Sequence, residues 1–293
     1  MKNFEDKVAA ITGAGSGMGQ TLAINLAAQG CHLSISDVNE KGLAETIRLL
    51  QPYDVSVIAD IVDVADKDAV YQWADKVVAD HGKVNLIFNN AGVALASTIE
   101  AMSYDELDWI LNINMWGVIY GTKAFLPHLK ASGEGHIINT SSIFGLFAQP
   151  TQSAYNISKF AVRGFTESLR QELELEGSCV SATCVHPGGI KTNIAAASKS
   201  NPSIQALTGQ THEESVKKFE TAFINSADRA AKIILQAVRK NKRRVLVGPD
   251  AKGVDVMIRL LPALYQRIVL FIVRKQYGIG KKRKSNTAAV PEG

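Results

Sequence analysis

The sequence is poor in cysteine. Cys31, Cys179 and Cys184 are its only three, odd in number and widely spaced, with no Cys-x-x-Cys pair. That argues against a disulfide framework or a zinc knuckle and makes a reducing compartment, the cytoplasm, the expected one. No grouping of His, Cys, Asp or Glu has metal-ligand spacing, so no metal is expected. Long apolar runs are also missing. The opening stretch MKNFEDKVAAITGAG places acidic residues and glycines where an export signal needs an unbroken apolar segment, and none is expected there. Acidic residues become scarce late in the chain: from Lys242 onward there are 3 Asp/Glu against 12 Lys/Arg, whereas the preceding residues hold 25 against 20. The overall net charge of +4 therefore averages an acidic body and a basic tail.

What is present fits a globular protein. The 293 residues are 46% hydrophobic and 20% charged, with a mean hydropathy of +0.02; this excludes a disordered, fibrous or polytopic membrane chain. Short apolar runs read as seven strands, at Val8–Thr12, Cys31–Ser36, Val55–Ala59, Val84–Asn89, His136–Thr140, Val180–Val185 and Val245–Val247. Several are apolar at nearly every position, as strands of a parallel sheet covered on both faces must be. Helical periodicity fills the intervals, for example Met18–Gln29, Asp66–His81, Ser103–His128 and Tyr155–Glu176. Strand, crossover helix, strand, repeated, predicts a doubly wound α/β sheet of the Rossmann kind. No internal repeat interrupts it. Residues 1–250 are expected to form one catalytic domain, with the irregular stretch 193–226 as a mobile lid, and residues 251–293 an appended extension.

The first strand runs into Thr12-Gly13-Ala14-Gly15-Ser16-Gly17-Met18-Gly19 and then into a helix. Glycines there permit positive φ and let the backbone approach a pyrophosphate, which the positive end of the following helix attracts. By itself such a loop can be a mere tight turn. The second strand ends in Asp37, 18 residues past Gly19, near the spacing of a carboxylate that accepts hydrogen bonds from the adenosine ribose. It would repel a 2′-phosphate, and neither the loop nor Val38 and Asn39 offers a cation to receive one. NAD is thus favoured over NADP. Further on, Tyr155 and Lys159 stand four residues apart on one helix face. An ordinary phenol is a poor base at neutral pH, and a nearby ammonium favours its ionised form.

Taken together, these motifs resemble the short-chain dehydrogenase/reductase family, in its common form of about 250 residues. The resemblance covers roughly residues 5–250 and rests on motifs in the family's order: Thr12-Gly13-x-x-x-Gly17-x-Gly19, Asp63-Val64, Asn89-Asn90-Ala91-Gly92, Asn114 in Asn-Met-Trp-Gly, Ser141-Ser142, Tyr155-x-x-x-Lys159 and Pro187-Gly188. It implies an enzyme in which Tyr155 exchanges a proton with the substrate oxygen while hydride moves to or from the nicotinamide. Ser142 would bind that same oxygen, with Ser141 its rival and the spacing to the tyrosine favouring 142. Lys159 would depress the Tyr155 pKa and hold the nicotinamide ribose, and Asn114 would hold a relay water. Of the cofactor contacts, Gly13, Ser16, Gly17, Met18 and Gly19 would form the pyrophosphate loop and Asp37 would take the adenosine ribose. Asp63 and Val64 would contact adenine, Asn90 with Ala91 and Gly92 the second ribose region, and Pro187, Gly188, Ile190 and Thr192 the carboxamide and phosphate. His186 stands where the family more often has Asn and is read as structural, as are His128 and His136.

Residues 254–275 read VDVMIRLLPALYQRIVLFIVRK. On a continuous helix Arg259, Arg267 and Arg274 would fall within about 80° of one another, with apolar residues around the rest. The longest uncharged run after Pro262, Ile268–Val273, is far short of the ~20 residues a span requires, and Pro262 is expected to break or kink the segment. With Lys281-Lys282-Arg283-Lys284 behind it, the segment over 254–284 fits either peripheral contact with an anionic membrane or packing on its own domain or a partner subunit. Nucleic acid is a poorer fit, for want of interleaved aromatics.

The lid mixes Ala195, Ala196, Ala197, Ile204, Leu207, Phe219 and Phe223 with polar residues, and Ile143, Phe144, Leu146 and Phe147 follow Ser142. No cationic cluster waits there for a phosphate or carboxylate, which points to a hydrophobic alcohol or ketone, lipid- or steroid-like. A 3-oxoacyl carrier-protein reductase is the second enzymatic reading, and Asp37 counts against it because that reaction usually draws on NADPH. A non-catalytic dinucleotide-binding regulator is the third, opposed by the complete set Asn114, Ser142, Tyr155 and Lys159. The family resemblance also implies a homodimer or homotetramer built partly on the helices of Asn114 and Tyr155.

Overall fold

A computed structural model of the chain describes residues 1–192, 194, 197–221 and 225–277. Asn193, Ala195, Ala196 and Phe223 of the expected lid, and Lys281–Lys284 of the tail, lie outside the described residues, as does the side chain of Phe219. Seven strands form one sheet: β1 (Val8–Thr12), β2 (His32–Asp37), β3 (Val57–Ile61), β4 (Leu86–Asn89), β5 (Gly135–Thr140), β6 (Val180–Pro187) and β7 (Arg244–Val247). Their order is β3-β2-β1-β4-β5-β6-β7 and every pairing is parallel. The helices, in chain order, are α1 (Gly17–Ala27), α2 (Glu40–Leu50), α3 (Lys67–His81), α4 (Tyr104–Leu111), α5 (Gly117–Ala131), α6 (Ser153–Leu175), α7 (Ser203–Thr208), α8 (His212–Thr221), α9 (Ala227–Arg239), α10 (Pro249–Leu260) and α11 (Tyr265–Tyr277). This is the doubly wound α/β fold that the strand and helix periodicities predict.

The pleat of β1 shows why its run is apolar from Val8 to Ile11. Ala9 and Ile11 face a core built with Leu22, Leu26, Ile234 and Val238 of α1 and α9. Val8 and Ala10 face the opposite core, where Trp73 and Val77 of α3 meet Phe125, Leu129, Leu169 and Leu173 of α5 and α6. Each fully buried Leu, Ile or Phe in these layers contributes roughly 1.5–3 kcal/mol of transfer free energy. β3 is the exception among the predicted strands: it begins two residues later and runs two residues further than the apolar run suggests. It is the half-exposed edge strand, and its length follows β2, which holds Asp37 opposite Ile61; the Ser56 N–H ahead of it is taken by the His32 ring at 3.0 Å.

Helix ends follow local chemistry. The Asp66 side chain caps α3 by accepting from Asp68 and Ala69, and Gly82, at φ 75, ends it in the left-handed region. Ser103 and Glu106 form a reciprocal capping box at the start of α4. Between α4 and α5 the chain takes a π-helical turn over Asn112–Trp116, closed by the Gly117 N–H on the Asn112 carbonyl.

The chain leaves β1 towards β2 and β3 on one side and returns at β4 on the other. Strand order therefore reverses between β1 and β4, and the crevice beyond their carboxyl ends is where such sheets bind ligands. Two parallel two-residue ladders tie the lid region to this end: Leu95–Ala96 with Lys199–Ser200, and Ile190–Lys191 with Asn225–Ser226.

The extension is two helices, as the position of Pro262 predicts. α10 is pinned to the sheet by Asp255, which pairs with Arg244 of β7 at 2.7 Å and with Arg259 at 3.0 Å. After Leu261, which leaves the helical conformation at φ -129 and ψ 61 ahead of Pro262, α11 turns back over the sheet end. There Val269 is buried among Leu95, Ile110, Phe144, Phe147, Ala154 and Tyr155, and the Tyr265 hydroxyl accepts the Ala148 N–H at 3.3 Å. Because the two helices are separate, a single helical wheel relates Arg267 only to Arg274, not to Arg259. Among the described residues no helix is long and apolar enough to cross a membrane.

Candidate active site

The crevice begins where β1 and β4 end. Thr12 joins the two, its hydroxyl accepting from the N–H groups of Asn90 and Ala91 at 3.0 Å each while donating to the Phe88 carbonyl at 3.3 Å. Gly13 takes φ 66, and a Cβ there would lie 2.7 Å from Ala91 Cα, so only glycine lets the two loops touch. Gly19 does not line the crevice; it lets α1 approach the loop, because a Cβ would fall on the Gly13 carbonyl oxygen.

A cleft of about 270 Å³ results, lined by Gly13, Ser16, Gly17, Met18, Asp37, Asp63, Val64, Asn90, Ala91, Gly92 and Thr192, together with Val38, Val62, Val93 and Ile113. The last four are all apolar; Val38, Val62 and Val93 flank the motif residues Asp37, Asp63 and Gly92, whereas Ile113 is brought to the cleft by the fold. The site fits a dinucleotide on features of its own. Ser16 caps α1 with backbone alone and the first turn holds no acid, so the free N–H groups and positive end of α1 face an anion unopposed. The Asn90 Oδ1 atom is buried without a protein partner. At the far end, Asp37 accepts from Gly15 N–H at 2.8 Å and from Asn39 N–H at 2.9 Å, and among the described residues no Lys or Arg lines the cleft.

The second half of the crevice, about 380 Å³, contains Ser142, Tyr155, Lys159, Pro187, Gly188 and Ile190, and again Met18, Asn90 and Thr192. α6 carries Tyr155 and Lys159 on its buried face, one turn apart, with the Lys159 ammonium 5.6 Å from the phenol ring centroid. That ammonium donates to the Thr140 carbonyl at 3.0 Å. Burial dominates both groups: it pushes the Tyr155 phenol up to about 12, against a hydrogen bond from Ser142 that lowers it, and pushes the Lys159 ammonium down to about 8. A buried ammonium held beside a buried phenol lets each offset part of the other's cost of ionisation.

The two adjacent serines are separated by their partners. Ser141 donates its hydroxyl to the Lys159 carbonyl at 2.7 Å, so it positions the helix. Ser142 lines the crevice together with Tyr155, its hydroxyl accepting the Phe144 N–H at 3.1 Å. Behind it, His186 is fully buried with Nδ1 at 3.0 Å from the Ser142 carbonyl, and burial lowers its pKa to about 4. It supports the backbone, as expected. Asn114 lies behind the crevice rather than in its wall. The π turn swings its side chain inward, where it accepts from Val93 N–H at 2.8 Å and donates to the Val93 carbonyl and to Ser158 Oγ. π turns of this kind recur at functional sites, and the sequence carries no signal for this one.

The substrate side is mainly apolar: Leu95, Ile143, Phe144, Phe147 and Ile204 line it, with Gln149, Thr151, Gln152, Ser200 and His212 as polar points, and Lys159 is the only Lys or Arg in it among the described residues. Leu207 of the lid is exposed and Ala197 lines the dinucleotide cleft instead. Three contributors escape sequence reasoning. Asn156 donates to the carbonyls of Phe144 and Phe147 at 2.7 and 2.8 Å, fixing the aromatic wall. Asp250 accepts from Gly189 N–H at 2.6 Å and from Asn225 at 3.3 Å, holding the Pro187-Gly188-Gly189 loop. Tyr277 brings the end of α11 into the wall.

Comparison with known proteins agrees with this geometry. The family described as short chain dehydrogenase matches residues 7–203. The chain is 47% identical over 276 residues to SadH of Mycobacterium tuberculosis, covering 94% of this chain and 98% of that protein. It is 32% identical over 257 residues to the C alpha-dehydrogenase of a Sphingobium species, covering 86% of this chain and 84% of that one. Among solved structures, a short-chain dehydrogenase/reductase from Burkholderia phymatum in complex with NAD is similar at a TM-score of 0.79 and 29% identity, covering 92% of this chain and 97% of that one.

Proposed function

The chain belongs to the short-chain dehydrogenase/reductase family, an oxidoreductase of CH–OH groups that works with a nicotinamide dinucleotide, and we propose that it uses NAD on a hydrophobic secondary alcohol or its ketone, lipid- or steroid-like. Asp37 supports the choice of NAD: its carboxylate, with no cation nearby, suits a ribose diol and opposes a 2′-phosphate. The apolar wall supports the substrate class, and it is the observation that carries the reading. Leu95, Ile143, Phe144, Phe147 and Ile204 line the space next to Ser142 and Tyr155, where an apolar group gains more from burial than a charged one.

The bound nicotinamide supplies or accepts the hydride. Ser142 donates to the substrate oxygen and orients it. Tyr155 takes the hydroxyl proton when the alcohol is oxidised and returns it when the ketone is reduced. Lys159, already beside the phenol, lowers the cost of its ionised form and holds the nicotinamide ribose. Asn114 places a water that connects Lys159 to solvent.

Trp116, Ile157 and Phe160, each about half exposed on the elements that carry Asn114 and Tyr155, support pairing with a second copy through this face. The three free thiols suit the cytoplasm. The test of substrate class is the catalytic efficiency with NAD along a series of secondary alcohols of increasing chain length. Efficiency should rise with length as apolar area enters the crevice; no gain beyond short chains contradicts the proposal.

A further inference from the structure

α11 has two faces of different kind. Tyr265, Val269, Val273 and Tyr277, spaced four apart, turn towards the aromatic wall of the crevice. The other side presents Leu270 and Phe271, the latter 68% exposed, between Arg267 and Arg274. Val256, Leu260 and Leu264 of α10 and the connection are exposed as well, Leu260 to 73%. These side chains would each lose stabilising burial in water, and a cluster of them on one pair of helices marks a contact surface.

The exposed charges of α10 and α11 have one sign. Lys252, Arg259, Arg267, Arg274 and Lys275 are exposed, whereas the acids of α10 turn inward, Asp250 to the Gly189 N–H and Asp255 to Arg244 and Arg259. The sequence then continues with Lys281-Lys282-Arg283-Lys284. We propose that the outer face of α10 and α11 docks on an anionic lipid bilayer, the apolar side chains entering the headgroup boundary and the arginines and lysines meeting lipid phosphates. A second copy of the chain is a poorer occupant, because a two-fold contact sets the cations of α10 and α11 against their own copies, and the described acids of these two helices are turned inward. Thirteen residues of α11 lie along such a surface and do not cross it. The consequence for the enzyme is direct: the helix that would rest on the bilayer also walls the substrate crevice, so a lipid-borne alcohol would have a short path from one to the other.

Docking is read by sedimentation of the full-length protein with vesicles, which needs no turnover and so fails or succeeds independently of the proposed reaction. The protein should pellet with phosphatidylcholine vesicles containing phosphatidylglycerol, weakly with phosphatidylcholine alone, and less as salt is raised. Arg267→Gln with Arg274→Gln should weaken binding about thirty-fold, about fivefold per cation, and Leu264→Ser with Phe271→Ser at least about tenfold. Circular dichroism and NADH binding confirm that each variant is folded; where one is not, the lipid and salt dependence of the unaltered protein decides. No pelleting, equal pelleting with neutral and anionic vesicles, or variants that bind as the parent does would overturn the proposal. So would variants that sediment as a smaller species while still binding vesicles, since a second copy would then own the face.

Discussion

The carboxylate of Asp37 accepts the backbone N–H of Gly15 at 2.8 Å, locking the end of β2 to the glycine loop that follows β1. A second bond, from Asn39 N–H at 2.9 Å, fixes the other oxygen. The carboxylate is therefore held in place before any ligand arrives, and a Cβ on Gly15 would collide with it. Charge-assisted hydrogen bonds of this kind contribute about 1.5–3 kcal/mol each.

Asp37→Ala should lower kcat/KM for NAD about tenfold to a hundredfold, the loss of one such bond to the ribose. The same change combined with Val38→Arg should turn the preference towards NADP. The ratio of kcat/KM for the two cofactors checks this; a parent enzyme that already prefers NADP contradicts the reading of Asp37.

Ser141 and Ser142, adjacent in sequence, should separate in kinetics and stability. Ser142→Ala removes the hydroxyl that shares the crevice wall with Tyr155 and should lower kcat about a hundredfold to a thousandfold. Ser141→Ala leaves the Lys159 carbonyl without its donor and should cost about 1 kcal/mol of stability with a much smaller effect on kcat. Urea unfolding and steady-state rates on both variants distinguish them.

The Lys159 ammonium, pushed by burial from 10.5 to about 8, makes stability depend on pH. Below about 8 both folded and unfolded chains carry the proton, and the folded one bears the full cost of burying it. Between about 8 and 10.5 the unfolded chain still holds a proton that the folded chain has released, so stability rises with pH. The gain from this group is on the order of 3 kcal/mol. Urea unfolding across that window should show the parent gaining on Lys159→Met; parallel curves contradict it.

Asp250 holds the Gly188-Gly189 loop from outside the family's motifs, through the 2.6 Å bond to Gly189 N–H. Asp250→Ala should raise KM for NAD about tenfold by loosening the loop, while Asp250→Asn, which keeps an acceptor oxygen, should recover most of the loss. Initial rates over a range of NAD concentrations check both.

Much of this was readable from the residues. Strands buried on both faces announce themselves, as Val8–Thr12 does, because apolar residues fill both sides of the pleat. Edge strand β3 does not, since half-exposed positions leave its length to its neighbour. The glycine loop, Asp37 and the Tyr155–Lys159 pair are legible because their chemistry depends on short fixed spacings. Asn156 and Asp250 are not, because each acts on backbone brought near only by the fold, Asp250 on a residue 61 positions away. The π turn at Asn114 leaves no mark in its composition. In the tail, the arginine spacing suggested an amphipathic helix, but the stripe at 265, 269, 273 and 277 that turns α11 inward was the more informative signal.

The central claim, that Tyr155 exchanges the proton in an NAD-linked oxidation, is tested most directly by Tyr155→Phe. The measurement is the rate of NADH formation from NAD and a hydrophobic secondary alcohol, alongside NADH binding by fluorescence. Removing one hydroxyl from a buried ring that packs edge-on to Phe144 should leave the fold and NADH binding intact while the rate falls by about a thousandfold or more. A variant that binds NADH and still turns over within about tenfold of the parent would contradict the account.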